Sequence, residues 1–202
     1  LPEFSLIEDN KIIFSKEIIP NPNEKMSDFI VSAYINIEKK YFLSKNLEYL
    51  LINTGPGSYT ALRIGIAFLS GLSISLNINF KGISCVDLFN YSLEEKNLLS
   101  TAFYIKSSNN QNFYCFFDSK KKIYNINKVE KNLENFLVGT NNLNTILTNI
   151  NLNEEEIIVL NSFKCHKLKF NNLVCKNINT ILSLPEQSLV EPIYTSNNKI
   201  LN

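Results

Sequence analysis

The chain has one histidine, one arginine and four cysteines among its 202 residues, and each scarcity removes a class of chemistry. Cys85, Cys115, Cys165 and Cys175 show no C-x-x-C spacing, so with a single histidine a zinc site lacks ligands, and no metal is expected. Cys165 and His166 are adjacent, and neighbouring side chains usually point different ways. His166 sits among Lys164, Lys167 and Lys169, which reads as a solvated basic patch, and no G-x-S-x-G nucleophile elbow occurs. Paired carboxylates are few: Glu94-Glu95 and Glu154-Glu155-Glu156 read as exposed helix ends, and Lys120-Lys121-Lys122 as a hairpin tip. A net charge of +1 creates no long-range field for nucleic acid, so any RNA contact needs a partner. There is no secretory signal or disulfide-like cysteine spacing, which makes the cytoplasm the expected compartment.

What the chain does have is a 45% hydrophobic fraction, enough for a sizeable core, and one informative stretch at residues 50–76. An apolar segment, the turn Gly55-Pro56-Gly57 and a long apolar-periodic run read as strand, tight turn and helix. Ser58 stands at the natural N-cap. The turn fails both phosphate-loop patterns: no lysine falls where G-x-x-x-x-G-K-[ST] needs one, and Thr60 stands where G-x-G-x-x-G needs glycine. What remains is a helix N-terminus with amides at Ser58, Tyr59 and Thr60, used for plain capping or weak anion binding.

Arg63 is the only arginine in a lysine-rich chain. Its planar fork suits a carboxylate, a phosphate or several carbonyls, so an acceptor is expected to face it, either as a structural clamp or as a ligand or partner contact. Around the helix of residues 58–76, apolar or small side chains including Ala61, Leu62, Ile64, Gly65, Ile66, Phe68, Leu69, Leu72 and Leu76 span an arc of about 200°, twice what one buried stripe needs. The surplus calls for a second cover, and Gly65, Ser70, Gly71, Ser73 and Ser75 are small enough to let another backbone approach. A membrane span is not expected, since the run contains serines and asparagines and falls short of about 20 strongly apolar residues.

Along the chain, residues 4–8 and 11–19 read as a hairpin turning at Asp9-Asn10, followed by a helix over 24–42 capped by Asn23. Its apolar positions Met26, Phe29, Ile30, Ala33, Ile37 and Tyr41 again exceed one contact. Strands at 47–53 and 80–84, then a short helix at 86–93, complete an α/β layer with at least one parallel pair. After a lobe boundary near Leu98, residues 101–105, 113–117 and 122–126 read as short antiparallel strands. Weak helices are expected at 129–137 and 143–150, a strand at 157–160 and a helix at 178–184. The two lobes are residues 1–97 and 98–202.

The segment Gly55-Pro56-Gly57-Ser58-Tyr59-Thr60-Ala61-Leu62-Arg63-Ile64-Gly65 resembles the G-P-G-S-F-T-G-L-R-I-G signature of the bacterial tRNA threonylcarbamoyladenosine biosynthesis family TsaB (YeaZ-like). The tail Glu191-Pro192-Ile193-Tyr194 resembles that family's E-P-x-Y-x-R-N, with Ser196 in place of arginine. Met26-Ser27-Asp28 replaces its H-S-E, and its D-A-R falls near Lys106-Ser107-Ser108. The resemblance implies an actin-like ATPase (ribonuclease H-like) α/β fold of two lobes. It also implies an accessory subunit, without cofactor or catalysis of its own, that pairs with a TsaD-like catalytic subunit and is assisted by a TsaE-like ATPase. That machinery modifies the adenosine next to the anticodon, so tRNA would be met only through the complex; a homodimer is the alternative assembly. The signature residues Gly55, Pro56, Gly57, Ser58, Thr60, Arg63 and Gly65 and the partner-facing positions Met26, Ile30, Ala33, Ile37, Phe68, Gly71, Leu72 and Ser75 are the candidate sites. A rival from another class is an independent actin-like kinase or hydrolase binding ATP between its lobes, which would need acidic metal ligands. The family's first strand is missing here; the natural chain is expected to begin about ten residues upstream, and that strand to belong between the strands at 4–8 and 47–53. Those two strands should then lie apart or have closed up to pair directly.

Overall fold

The structure, a computed structural model, describes residues 2–19, 21, 23–93, 99–107, 111–118, 123–129, 142–149, 151–185, 187, 189–193, 195–196 and 199–200. It opens with the antiparallel hairpin of β1 (Glu3–Glu8) and β2 (Lys11–Glu17). Asp9 (φ 48°) and Asn10 (φ 62°) take the left-handed backbone that a two-residue hairpin loop requires. Helix α1 (Met26–Tyr41) starts later than its periodicity suggested: Lys25 is the N-cap and makes no side-chain cap bond. Asn23 does not cap it; the entry turn is tied instead by the Asn21 N–H donating to the Glu24 carboxylate at 3.1 Å. Phe42, in the left-handed region, ends α1 and leads into a single turn, α2 (Leu43–Asn46), which the sequence did not announce.

Next comes the unit that positions the signature: β3 (Tyr49–Asn53), α3 (Tyr59–Leu76) and β4 (Asn79–Ile83), with β3 and β4 parallel and α3 crossing between them. Helix α4 (Cys85–Ser92) follows, opened by the Ser84 hydroxyl accepting from the Asp87 N–H at 2.9 Å. Strands β1 and β3 do not pair; each belongs to its own two-stranded ladder.

The second half builds a five-stranded sheet in the order β7-β6-β5-β8-β9, from β5 (Thr101–Lys106), β6 (Asn112–Asp118), β7 (Ile123–Val129), β8 (Thr145–Thr148) and β9 (Lys164–Lys167). Two expectations reverse here. The segment around 145–148 is a strand, because its β-branched Thr145, Ile146 and Thr148 lie between β5 and β9 as a fully paired central strand. The segment before 160 is helix α5 (Glu154–Val159), because Asn153 and Glu156 form a capping box that outweighs the β-branched pair Ile157-Ile158. Glu156 is accordingly not an exposed helix end. Its carboxylate accepts from Tyr104 Oη at 2.9 Å, Lys106 Nζ at 2.7 Å and the Asn153 N–H at 2.8 Å. Burial opposes its charge, but these donors hold its pKa below the ordinary carboxylate value.

Helix α6 (Phe170–Ser183) is longer than the 178–184 expected and carries a kink at Asn177, whose side chain donates to Ser92 Oγ and the Leu173 carbonyl. Of the helix expected at 129–137, Val129 ends β7 and the rest lies outside the described residues, as do the lysine run at 120–122 and the boundary at Leu98. The largest apolar cluster joins Ile83, Val86, Leu88 and Phe89 to Phe103, Ile105, Phe113, Leu147, Leu173 and Ile181, so residues on both sides of 98 share one core. Phe89 and Phe103, both fully buried, stack at 4.7 Å; burying each ring contributes about 1.5–3 kcal/mol.

Candidate functional site

The strand-to-helix turn is bonded on every side. Gly55 has φ 111°, a backbone region that L side chains avoid, and the Gly55–Pro56 peptide is cis. Asn53 Oδ1 accepts from the Gly55 N–H at 2.9 Å and from Cys85 Sγ at 3.3 Å. The Cys85 N–H donates to the Gly55 carbonyl at 2.8 Å, and the Thr54 N–H to the Ile83 carbonyl at 3.0 Å. Burial pushes the Cys85 thiol up to about 12, so it sits here as a neutral, inert group. Ser58 occupies the N-cap, but its hydroxyl makes no cap bond; its carbonyl accepts the first helical bond from Leu62 at 2.9 Å. Thr60 and Arg63 are exposed. Arg63 lays its guanidinium over the Tyr59 ring, 4.3 Å from the centroid, so an aromatic face one turn back holds the fork.

The tail reaches the same turn. The Ile193 N–H donates to the Thr54 carbonyl at 2.8 Å, joining the two motifs that carry the family resemblance. Gln187 brackets Gly82, accepting its N–H at 2.9 Å and donating to its carbonyl at 3.1 Å. Buried Lys81 donates to the carbonyls of Leu182 and Leu184, both at 2.6 Å, closing the C-terminal end of α6. Gly82 is required by contact: an added Cβ would stand 2.6 Å from Thr54 Cγ2 and 2.7 Å from Val190 Cγ1. Sequence reasoning missed this strap. Its one advance signal was a lysine and a glycine inside an otherwise apolar strand.

The helix pair divides the candidate interface positions in two. Met26, Ile30 and Ile37 are buried within the chain, the first two in a cluster with Ile18 and Ile19. They are core residues and are corrected as such, because α1 turns them onto the hairpin strands. Ala33 and Phe68 are half-buried against the same cluster, with Phe68 touching the rings of Phe4 at 6.3 Å and Tyr34 at 5.7 Å. Gly65 is packed tightly, since a Cβ there would meet Ile52 at 3.0 Å. Leu72 is half-buried, whereas Gly71 and Ser75 are exposed, with open space around Gly71. Part of the free surface is apolar all the same. On α1 it presents Val31 (53% exposed) and Ile35 (43%), four residues apart; on α3 it presents Ala67, Gly71, Ile74 (83%) and Ser75. By length and composition alone α3 could cross a membrane, at 18 residues and a mean hydropathy of 1.4, contrary to the count made on sequence; in the fold it packs on β3 and β4. Among the described residues no three His, Cys, Asp or Glu side chains gather as a metal site.

This arrangement defines a mixed α/β protein of the actin-like, ribonuclease H-like ATPase fold. The chain belongs to the family described as TsaD: tRNA N6-adenosine threonylcarbamoyltransferase, whose model matches residues 33–160. Two solved structures from Pseudomonas aeruginosa share the fold. One is described as an uncharacterized protein with similarity to peptidase YEAZ, at 14% identity and TM-score 0.57 over 94% of this chain and 92% of that one. The other is YeaZ, at 14% identity and TM-score 0.57 over 95% and 92%. No match is found among curated protein sequences.

Proposed function

We propose that the chain is an accessory subunit of tRNA N6-threonylcarbamoyladenosine modification, which binds and supports a TsaD-like catalytic subunit in the cytoplasm and performs no transfer itself. A TsaE-like ATPase assists, and tRNA is met only within the assembly. The observation that carries this reading is the apolar stripe that α1 and α3 leave outside the chain's own core, Val31, Ile35, Ala67, Gly71 and Ile74. A stable interface buries about 800 Å² on each side, and the proposal assigns that area to the outer faces of the two helices. The bonded signature turn fits the same role: its backbone groups are spent on Asn53, Ile83, Cys85 and Ile193, which fixes where α3 begins. Reconstitution tests the proposal. The catalytic subunit with this chain should modify tRNA, the chain alone should neither modify tRNA nor hydrolyse ATP, and turnover by the chain alone that a substitution in it abolishes would contradict the reading.

A further inference from the structure

Helix α1 carries a second apolar stripe. At 3.6 residues per turn, Phe29, Ala33, Ile37 and Tyr41 lie on the other side of the helix from Val31 and Ile35. This stripe rests on the hairpin, where strand alternation turns Phe4, Phe14, Lys16 and Ile18 to one face. Helix and hairpin do not close completely: a cavity of about 310 Å³ remains between them. Buried Ile18 and Ile37 line it, together with the half-buried rings of Phe4, Phe14, Phe29 and Tyr41.

The same cavity is marked by charge. Lys16 lies between Phe14 and Ile18 on the helix-facing side of β2, where binary patterning calls for an apolar residue. Lys40, on the facing wall, holds Nζ 4.9 Å from the Tyr41 ring centroid, and the Tyr41 ring meets Phe14 edge-on at 5.6 Å. Both lysines therefore border one pair of rings, one from each wall. Neither pairs with a carboxylate among the described residues. Glu17 is also at this cavity, but it alternates to the opposite face of β2 with Ser15, whose hydroxyl accepts from Asn171 Nδ2 at 3.4 Å. Exposed Ser32 and Asn36, two turns and one turn before Lys40, continue the polar rim.

Rings below and cations at the rim select a ligand with an apolar body and a negative end. A purely apolar ligand would cover the rings and desolvate the ammoniums without compensation. The negative end is a single charge: Lys40 stands in the last turn of α1, where the macrodipole is negative and opposes a dianionic phosphate. The lining residues of α1 begin at Phe29, inside the helix, so its N-terminal amides do not reach the cavity as a phosphate cradle would. The volume stands at the low end for ligand sites and suits one ring with a short side chain.

We propose that the cleft between β2 and α1 binds a small aromatic carboxylate, its ring against Phe14 and Tyr41 and its carboxylate between Lys16 and Lys40. The site lies across α1 from Val31 and Ile35, so it stands whether or not that face takes a partner. Phenylpropionate, titrated into the isotope-labelled chain, should shift the backbone amides of residues 14–18 and 29–41 at millimolar concentration or below. Phenylpropanol, with the same ring and no charge, should bind about tenfold more weakly, and phenyl phosphate should not exceed the carboxylate. Added salt should weaken the acid and leave the alcohol unchanged. Lys16→Met combined with Lys40→Met, both at exposed positions, should keep the thermal midpoint and bind the acid no better than the alcohol. Asn36→Asp, which adds a carboxylate to the rim, should likewise weaken the acid alone. Unmoved amides would overturn the proposal; so would equal affinity for acid and alcohol, which reduces the cleft to apolar adhesion, or tighter binding of phenyl phosphate, which makes it a phosphate site.

Discussion

The N–H of Ile193 donates to the carbonyl of Thr54 at 2.8 Å, so the tail of the chain closes on the turn from which α3 sets out. Residues far apart in sequence thereby fix one geometry: β3 delivers the turn, α4 holds it through Cys85, and the strap from Gln187 to Ile193 lies against Gly82.

Two glycines separate contact from conformation. Gly82→Ala should destabilise the fold by about 1–3 kcal/mol, the usual cost of overpacking, because its Cβ would collide with Thr54 and Val190. Gly71→Ala should stabilise by about 0.5–1 kcal/mol, since the site is an exposed helix interior with open space around it. Urea unfolding of both variants checks the pair, and similar behaviour of the two would contradict the strap geometry.

Lys81→Met should cost about 1.5–3 kcal/mol, the range for hydrogen bonds made by a charged donor, because the carbonyls of Leu182 and Leu184 lose their partner. Hydrogen exchange locates the effect: the end of α6 should open preferentially. Uniform loosening would mean that Lys81 acts through packing alone.

The Glu156 carboxylate has a folded pKa below its ordinary 4.5, so its contribution to stability is present above that value and is lost as pH falls through the folded pKa. Glu156→Gln should remove that component of the acid dependence. Denaturant midpoints of the two proteins should differ at neutral pH and converge in acid, and parallel curves would show that the carboxylate is not held by Tyr104, Lys106 and Asn153.

Thiol labelling should divide the cysteines. Cys165 is exposed and should react in the native protein; Cys85 and Cys115 are fully buried, with thiol pKa values raised by burial, and should react only on unfolding. Mass spectrometry of alkylated peptides reads this directly.

The first half of the chain was legible because its signals are local. Apolar alternation ending at Asp9-Asn10 gives a hairpin, and a Gly-Pro-Gly turn between an apolar run and a 3.6-period segment gives β3 and α3. The second half was less so. At 145–148 the deciding fact is pairing with β5 and β9, which no local window contains, and at 154–159 a capping box overrode two isoleucines. The candidate interface was read in part, because apolar periodicity marks a face without saying which side the chain covers. Met26, Ile30 and Ile37 went inward, and Val31 and Ile35 stayed out. Arg63 drew attention by its rarity, and the contact with the Tyr59 ring four residues back is one that the search for an oxygen acceptor did not anticipate.

The central claim is that the free face of α1 and α3 receives the catalytic subunit, and Gly71→Trp tests it most directly because nothing lies within 4 Å of a Cβ at that position. Calorimetric titration of this variant against the TsaD-like subunit, alongside its thermal midpoint, should show native stability and affinity lowered by about tenfold or more. Unchanged affinity with unchanged stability would place the partner elsewhere and contradict the account.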